Sequence, residues 1–404
     1  MAPANNGKIR VLHLCGSPTS SFYFDLSVLY ARTCTEFEGL DKTAFEHTCA
    51  VVYSSGKWGF PKSLADAEVK EAEAKAVGVG AALARLEAQD PPLDVVVPHM
   101  FCLSGMTHYR GLVEVLGVEL LGCSAQTCAV GQDKFLTKAI CQAEGVPVPK
   151  GELLRKEAHG IDTMATARKL LETWTAPLIV KPAREDNSIG LSLVKKGTPE
   201  DLSAALVKAF QYDDYVLLEE YIAGREIRIA VLEVGEGAGR HLEVLPKLEY
   251  ILEDIREQKH KLGTDSSGKL LTGDQNVSEA FQKAKEEGER ICPAQLEPEV
   301  HARMDELAKR AHKALGCKYY SLYDVRLNKE GFPFMLESCL FCSFSPYSVI
   351  VGLAAKSEGD ALQPHPKVFE ALLRRAAAET REQRAEGANG QAAGQGGIKK
   401  RKTA

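Results

Sequence analysis

Short runs of consecutive apolar residues alternate with longer mixed stretches along the first third of the chain. Ile9-Arg10-Val11-Leu12-His13-Leu14, Ala50-Val51-Val52-Tyr53 and Asp94-Val95-Val96-Val97-Pro98 read as strands covered on both faces. Residues 66–86, rich in Ala, Glu and Lys, predict a helix between the last two. Strands alternating with helices predict a small parallel sheet over residues 8–122. Gln132-Asp133-Lys134 then opens a helix to about Glu144, stopped by Gly145-Val146-Pro147.

The pattern changes near Pro149. Strands are predicted at 177–182 and 191–194, and again at 214–221 and 226–232, each pair at hairpin spacing. Residues 299–315 carry apolar positions at Val300, Met304, Leu307, Ala311 and Leu315, the spacing of an amphipathic helix ended by Gly316. Strands at 319–327 and 332–337 follow around Gly331. The fold class is therefore α/β plus α+β. The regions are 8–122, 123–218 and 219–380, with a basic tail expected to be disordered over 381–404. Residues 265–289 are polar and weakly patterned and predict a mobile loop with some helix.

Of 404 residues, 45% are hydrophobic and 26% charged, the balance of an ordinary globular protein. The formal net charge is −5, and four of the positive charges sit together at Lys399, Lys400, Arg401 and Lys402. The rest is more acidic still, which argues against nonspecific nucleic-acid binding. No apolar run is long enough to span a membrane. The eleven cysteines, odd in number and mostly in apolar surroundings, read as reduced thiols. The expected location is cytoplasmic, with the basic tail as a candidate nuclear address. P-loop, zincin and hydrolase-elbow patterns are all missing. Cys339-Leu340-Phe341-Cys342 lacks the second pair that zinc would need and reads as a turn with two small buried side chains.

Candidate chemistry lies in ordered segments. Lys181 stands at a strand end before the small-residue loop 183–190, an arrangement that can hold and cover phosphates. Glu219 and Glu226 stand seven apart around a Gly turn. Asp324 and Glu337 fall on neighbouring strands and form a hard oxygen pair suited to Mg²⁺. Taken singly, Lys181 is also readable as a solvated lysine, and Asp324/Glu337 as a surface pair balanced by Arg326.

Together these segments resemble the ATP-grasp superfamily, and most of all D-alanine–D-alanine ligases, over about residues 8–375. Asp133-Lys134 with Gly145-Val146-Pro147-Val148-Pro149 resembles D-K…G-x-P-x-P. Val180-Lys181-Pro182-Ala183 through Ser188-Ile189-Gly190 resembles the glycine loop, and Glu219 to Glu226 resembles E-x-x-x-x-G-x-E. The resemblance implies an ATP-dependent carboxylate–amine ligase working through an acyl phosphate on small, amino-acid-like substrates. It places Lys134 and Lys181 on the ATP phosphates and Ser188, Ile189 and Gly190 in a lid. Glu219, Tyr221 and Ile222 would lie at the adenine and Glu226 at the ribose. Asp324 and Glu337 would hold Mg²⁺ or Mn²⁺. Lys259 or Lys261 would lie near the γ-phosphate and Ser348 at the substrate. A homodimer is the assembly it carries.

The chain departs from the family pattern in the substrate half. E-x-N is Glu337-Ser338-Cys339, and a thiol suits Mg²⁺ badly. R-x-D is Leu322-Tyr323-Asp324, which removes an arginine that Arg326, two positions on, would replace. The G-G-x-S-x-E stretch is Cys15-Gly16-Ser17-Pro18-Thr19-Ser20-Ser21, without its glutamate. The expected product is therefore not D-alanyl-D-alanine. The alternative is a catalytically degenerate nucleotide-binding regulatory or scaffold protein.

Overall fold

A computed structural model of the chain describes residues 7–37, 39–157, 160–235, 239–256, 290–345, 348–357 and 367–393, with side chains of the last segment up to Glu386. Among these residues the strands form three sheets. The first comprises β1 (Ile9–Gly16), β2 (Phe45–Val52), β3 (Trp58–Gly59), β4 (Val95–Pro98) and β5 (Glu119–Leu120), ordered β3-β2-β1-β4-β5. β1 runs parallel to β2 and to β4, as the alternating pattern predicts; two-residue β3 is antiparallel. The helix expected over 66–86 is instead two helices, Asp66–Ala74 and Val79–Glu87. The break falls where Val77 exchanges backbone hydrogen bonds with Trp58 at 2.8 and 2.9 Å, a pairing that an unbroken helix could not make.

The second sheet comprises β6 (Gly151–Arg155), β7 (Leu178–Pro182), β8 (Ser192–Val194) and β9 (Tyr215–Glu220), ordered β6-β9-β7-β8 and antiparallel throughout. The third comprises β10 (Arg225–Val234), β11 (His241–Val244), β12 (Leu248–Tyr250), β13 (Arg290–Ile291), β14 (Tyr320–Leu327) and β15 (Pro333–Cys339). Its order is β13-β12-β10-β14-β15, with β11 also on β10. The hairpin expected between 214–221 and 226–232 does not form. Both edges of β9 are filled by β6 and β7, and β10 pairs in the third sheet. Tyr221–Gly224 is thus the hinge between two sheets. Gly224 has φ +147°, and a Cβ there would lie 1.9 Å from the Leu327 carbonyl oxygen, so only glycine fits.

Long-range packing ties the regions together. Cys128 and Cys141, in the helices Ala125–Gln132 and Lys134–Ala143, lie in one buried cluster with Ile227, Ile229 and Tyr323 of the third sheet. The C-terminal helix Lys367–Ala393 packs on the first sheet through Phe369, Leu373 and Ala376. It also corrects the disorder expected from residue 381. The stretch is rich in the strong helix formers Ala, Glu, Gln and Arg. Arg381 donates to buried Asp94 at 2.8 and 3.1 Å, and Arg384 donates to the Leu93 carbonyl at 2.7 Å. Arg381→Ala would leave that carboxylate with the Arg10 amide as its hydrogen-bond donor among the described residues. It is expected to cost about 1–3 kcal/mol in urea unfolding. The stretch 257–289 and the basic cluster at 399–402 lie outside the described residues.

Candidate active site

A cleft opens between the second and third sheets. Lys181, on β7, ion-pairs with Glu219 of β9 at 2.8 Å. Asp133 caps the helix Lys134–Ala143 by accepting from the amides of Phe135 and Leu136, which fixes the direction of that helix. One turn apart on it, Lys134 donates to the Glu185 carbonyl and lies 3.9 Å from Glu337, while Lys138 donates to Glu219. Burial, followed by repulsion from Lys181, holds the Lys138 ammonium well below the usual lysine range. Two lysines thus share the deeply buried Glu219 carboxylate, and a third stands beside Glu337.

The loop after β7 closes over them. Asn187, Ser188 and Gly190 all take left-handed φ values, of 57°, 61° and 71°. A Cβ on Gly190 would come within 2.6 Å of the Pro182 ring. Ser188 Oγ donates to the Arg256 carbonyl at 2.7 Å, latching the loop to the segment that follows β12. With lysines folded onto Glu219 and the latch closed, the cleft is narrow, about 80 Å³. A nucleotide must displace these contacts to enter.

On the third sheet the functional positions form cross-strand rows, because residues two apart share a face. Arg228, Asp324 and Glu337 are register partners across β10, β14 and β15. The next row towards the N-terminus of β14 is Ala230, Leu322 and Cys339. Arg228 Nε and Nη2 donate to Asp324 at 2.6 and 2.7 Å, and Arg256 adds a third bond at 3.1 Å. Burial pushes the Asp324 carboxyl up, but the two guanidiniums outweigh it and hold it below the usual range.

Lys134, Lys181, Ser188, Ile189, Glu219, Tyr221, Ile222, Glu226, Arg326, Asp324 and Glu337 all line this one cleft. Lys181, Asp324 and Arg326 are buried, so the solvated and surface-pair readings fail. Arg326 is not beside the missing arginine, however. It donates to Tyr221 Oη at 2.9 Å, to the Ile222 carbonyl at 3.1 Å and to Glu226 at 3.3 Å, which ties it to the hinge. The guanidiniums on Asp324 are those of Arg228 and Arg256. Ser348 lies outside the cleft, in an adjoining chamber of about 530 Å³ that shares Arg256, Asp324 and Glu337 with it. Cys339 and Cys342 are half-buried on that chamber's wall, with their sulfurs 3.6 Å apart, rather than in a buried turn. Lys259 and Lys261 lie outside the described residues.

The arrangement matches known proteins. The family described as D-ala D-ala ligase C-terminus matches residues 140–362. The chain belongs to that family. The D-alanine–D-alanine ligase B of Chromobacterium violaceum is 32% identical to this ligase over 254 residues, covering 63% of this chain and 71% of the relative. The D-alanine–D-alanine ligase of Coxiella burnetii superposes with TM-score 0.70 at 20% identity, over 96% of this chain and 99% of that one. The Bacillus anthracis enzyme complexed with ATP gives TM-score 0.64 at 18% identity, over 93% and 99%. The fold is ATP-grasp, and the protein is an ATP-dependent carbon–nitrogen ligase; the non-catalytic alternative is not favoured. Among the described residues no helix is long and apolar enough to cross a membrane.

The sequence reading passed over Lys138, Arg228 and Arg256. Lys138 carries a signal, four residues after Lys134 on the same helix face. So does Arg228, two after Glu226 on the same strand face. Arg256 stands at the edge of a weakly patterned stretch and carries none.

Proposed function

We propose that this ligase joins a small carboxylic acid to an amine, at least one of them amino-acid-like and neither pair member necessarily D-alanine, through an acyl phosphate. The carboxylate oxygen attacks the γ-phosphorus of ATP, forming the acyl phosphate and releasing ADP. The amine then attacks the acyl carbon, the C–O bond to phosphate breaks, and amide, inorganic phosphate and a proton result. The observation that carries this reading is the convergence of three lysines, the latched loop and the Arg228–Asp324–Glu337 row on one cleft.

Lys134, Lys138 and Lys181 neutralise the phosphates and orient the γ-phosphoryl group, an electrostatic role that needs no covalent chemistry from the protein. The loop at Ser188–Gly190 shields the acyl phosphate from water. Tyr221 and Ile222 hold the base at the hinge, and Glu226, fixed by Arg326, receives the ribose hydroxyls. Arg228 faces the meeting point of cleft and chamber and stabilises the oxyanion of the tetrahedral intermediate, the role left open by Leu322. Ser348 Oγ, buried without a hydrogen-bond partner among the described residues, contacts the substrate.

The residues fit one divalent cation. A carboxylate offers about four lone-pair sites. The guanidinium bonds take three on Asp324, which leaves one beside Glu337. One or two carboxylates plus phosphate oxygens and water is the usual Mg²⁺ set, and Cys339 adds no oxygen to it. A bound Mg²⁺ there would neutralise phosphate charge. A coupled ADP-release assay over a panel of acids and amines tests the function. ADP formation that depends on both components, with an amide of the expected mass, is the expected result. ATP binding with no ADP from any pair would overturn it.

A further inference from the structure

The chamber beyond Asp324 and Glu337 is larger and more apolar than alanine needs. This inference rests on the ligase reading and concerns what fills that chamber. Leu322 and Cys339, the two positions where the chain departs most from its family's pattern, are register partners on adjacent strands, and both line the chamber. An arginine and an amide side chain at those places would make a polar wall; a leucine and a thiol make an apolar one directly beside the reacting row. Across from them stand Tyr30 and Phe101, whose rings meet edge-on at 5.3 Å. About 530 Å³ lies between these walls, within the range that encloses an organic ligand much larger than alanine.

Polar side chains line the chamber as well, Asp186, Asn187, Ser343 and Lys356 among them. The Oγ atoms of Ser338 and Ser348 are buried there without hydrogen-bond partners among the described residues. Three guanidiniums, of Arg228, Arg256 and Arg290, surround the Tyr250 ring at 5.8, 4.3 and 5.5 Å from its centre. The lining carries these three and Lys356 against the carboxylates of Asp186, Asp324 and Glu337, a net positive charge that suits an anion where the phosphate chain would arrive.

We propose that the acid activated by this ligase carries a branched aliphatic or aromatic side chain about the size of leucine or phenylalanine. Its carboxylate lies towards Arg228 and the two serine hydroxyls, and its side chain extends along Leu322, Cys339 and Phe341. A small acid such as alanine leaves the chamber unfilled and gains none of that apolar contact.

The test uses the full-length enzyme with ATP and Mg²⁺ and measures ADP release and product mass. The panel is the α-amino acids of both hands and their desamino acids. The leucine- and phenylalanine-sized acids should give kcat/KM at least ten-fold above alanine, since each added methylene in an apolar pocket is worth about ten-fold or more. Gly352 supplies the second arm. It lines the chamber from the helix Val349–Ala354, and a Cβ added there meets nothing within 4 Å. Gly352→Phe should therefore fold, keep nucleotide affinity by displacement of a fluorescent ATP analogue, and lose at least ten-fold in kcat/KM for the large acid while sparing alanine. Alanine turned over as well as the large acids, with Gly352→Phe without effect, would overturn this inference and leave the ligase reading standing. ADP release from no acid at all would overturn both.

Discussion

Lys181→Met is expected to lower ATP-driven turnover by about 10²–10³-fold, the usual effect of removing one preorganised charge from a transition state. The fold should survive. Glu219, 1% exposed, keeps Lys138 as its partner when Lys181 is gone, so no buried charge is stranded. Lys138→Met differs. Burial and the neighbouring Lys181 hold the ammonium it removes below the usual lysine range, so that group gives up its proton more readily than an ordinary lysine. Once the phosphates are in place, their field favours its protonated form. The wild-type Lys138 gives up its proton as pH rises and methionine never holds one, so the rate loss of the Lys138 variant should be largest at low pH and shrink as pH rises. Both follow from ADP-release kinetics between pH 6.5 and 9, with thermal melts as the folding control. An unchanged rate for Lys181→Met would remove that lysine from the phosphate site.

The parts of this structure that the sequence made legible are those with short-range causes. The all-apolar runs at 9–14 and 94–98 can only be buried strands, and parallel pairing follows from the connections between them. Asp324 and Glu337 meet because a Gly331 turn joins their strands. Pairings set by competition between distant segments were not legible. Whether β9 pairs with β10 depends on competition from the five other strands that pair with them, and no local pattern records that. Arg326 shares the strand face of Asp324, as its spacing says. Which way a long side chain leans is decided by the acceptors around it, here Tyr221, Glu226 and the hinge carbonyl. Arg228 reaches Asp324 through a strand pairing across almost a hundred residues, visible only after folding. The chamber is less legible still, because its walls come from the first helix, the third sheet and the C-terminal segments together.

Stability of the first sheet is expected to fall steeply between pH 6.5 and 5. His13 on β1 bridges two other rings: its Nδ1 is 2.9 Å from His99 Nε2, and its Nε2 is 2.9 Å from His47 Nδ1. A neutral imidazole has one N–H, so the three rings form a directed chain in which His13 donates to one neighbour and accepts from the other. Protonating His13 in place would set two donors against one of those neighbours. Burial, then the nearby Arg110 charge, holds His99 down to about 3. Burial, then Lys42, holds His47 down to about 4. Burial, then His99 and His47, lowers His13 well below its ordinary value. The unfolded chain titrates near 6.5 and binds more protons than the native state below that pH. The stabilisation is therefore complete above about pH 6.5 and drains away as pH falls towards the native values. Each ring that stays neutral costs about 1.4 kcal/mol per pH unit, about 2 kcal/mol at pH 5. Three such rings rival the whole net stability of an ordinary domain. Urea unfolding at pH 7.5, 6.0 and 5.0 measures this window, in which most carboxylates do not yet titrate. His47→Asn and His99→Gln place an amide where each ring nitrogen bonds and remove the titration; each should flatten the pH slope by about one proton's worth. A wild-type stability unchanged from pH 7.5 to 5.0 would mean that the rings protonate inside the fold, and the neutral chain would have to be abandoned.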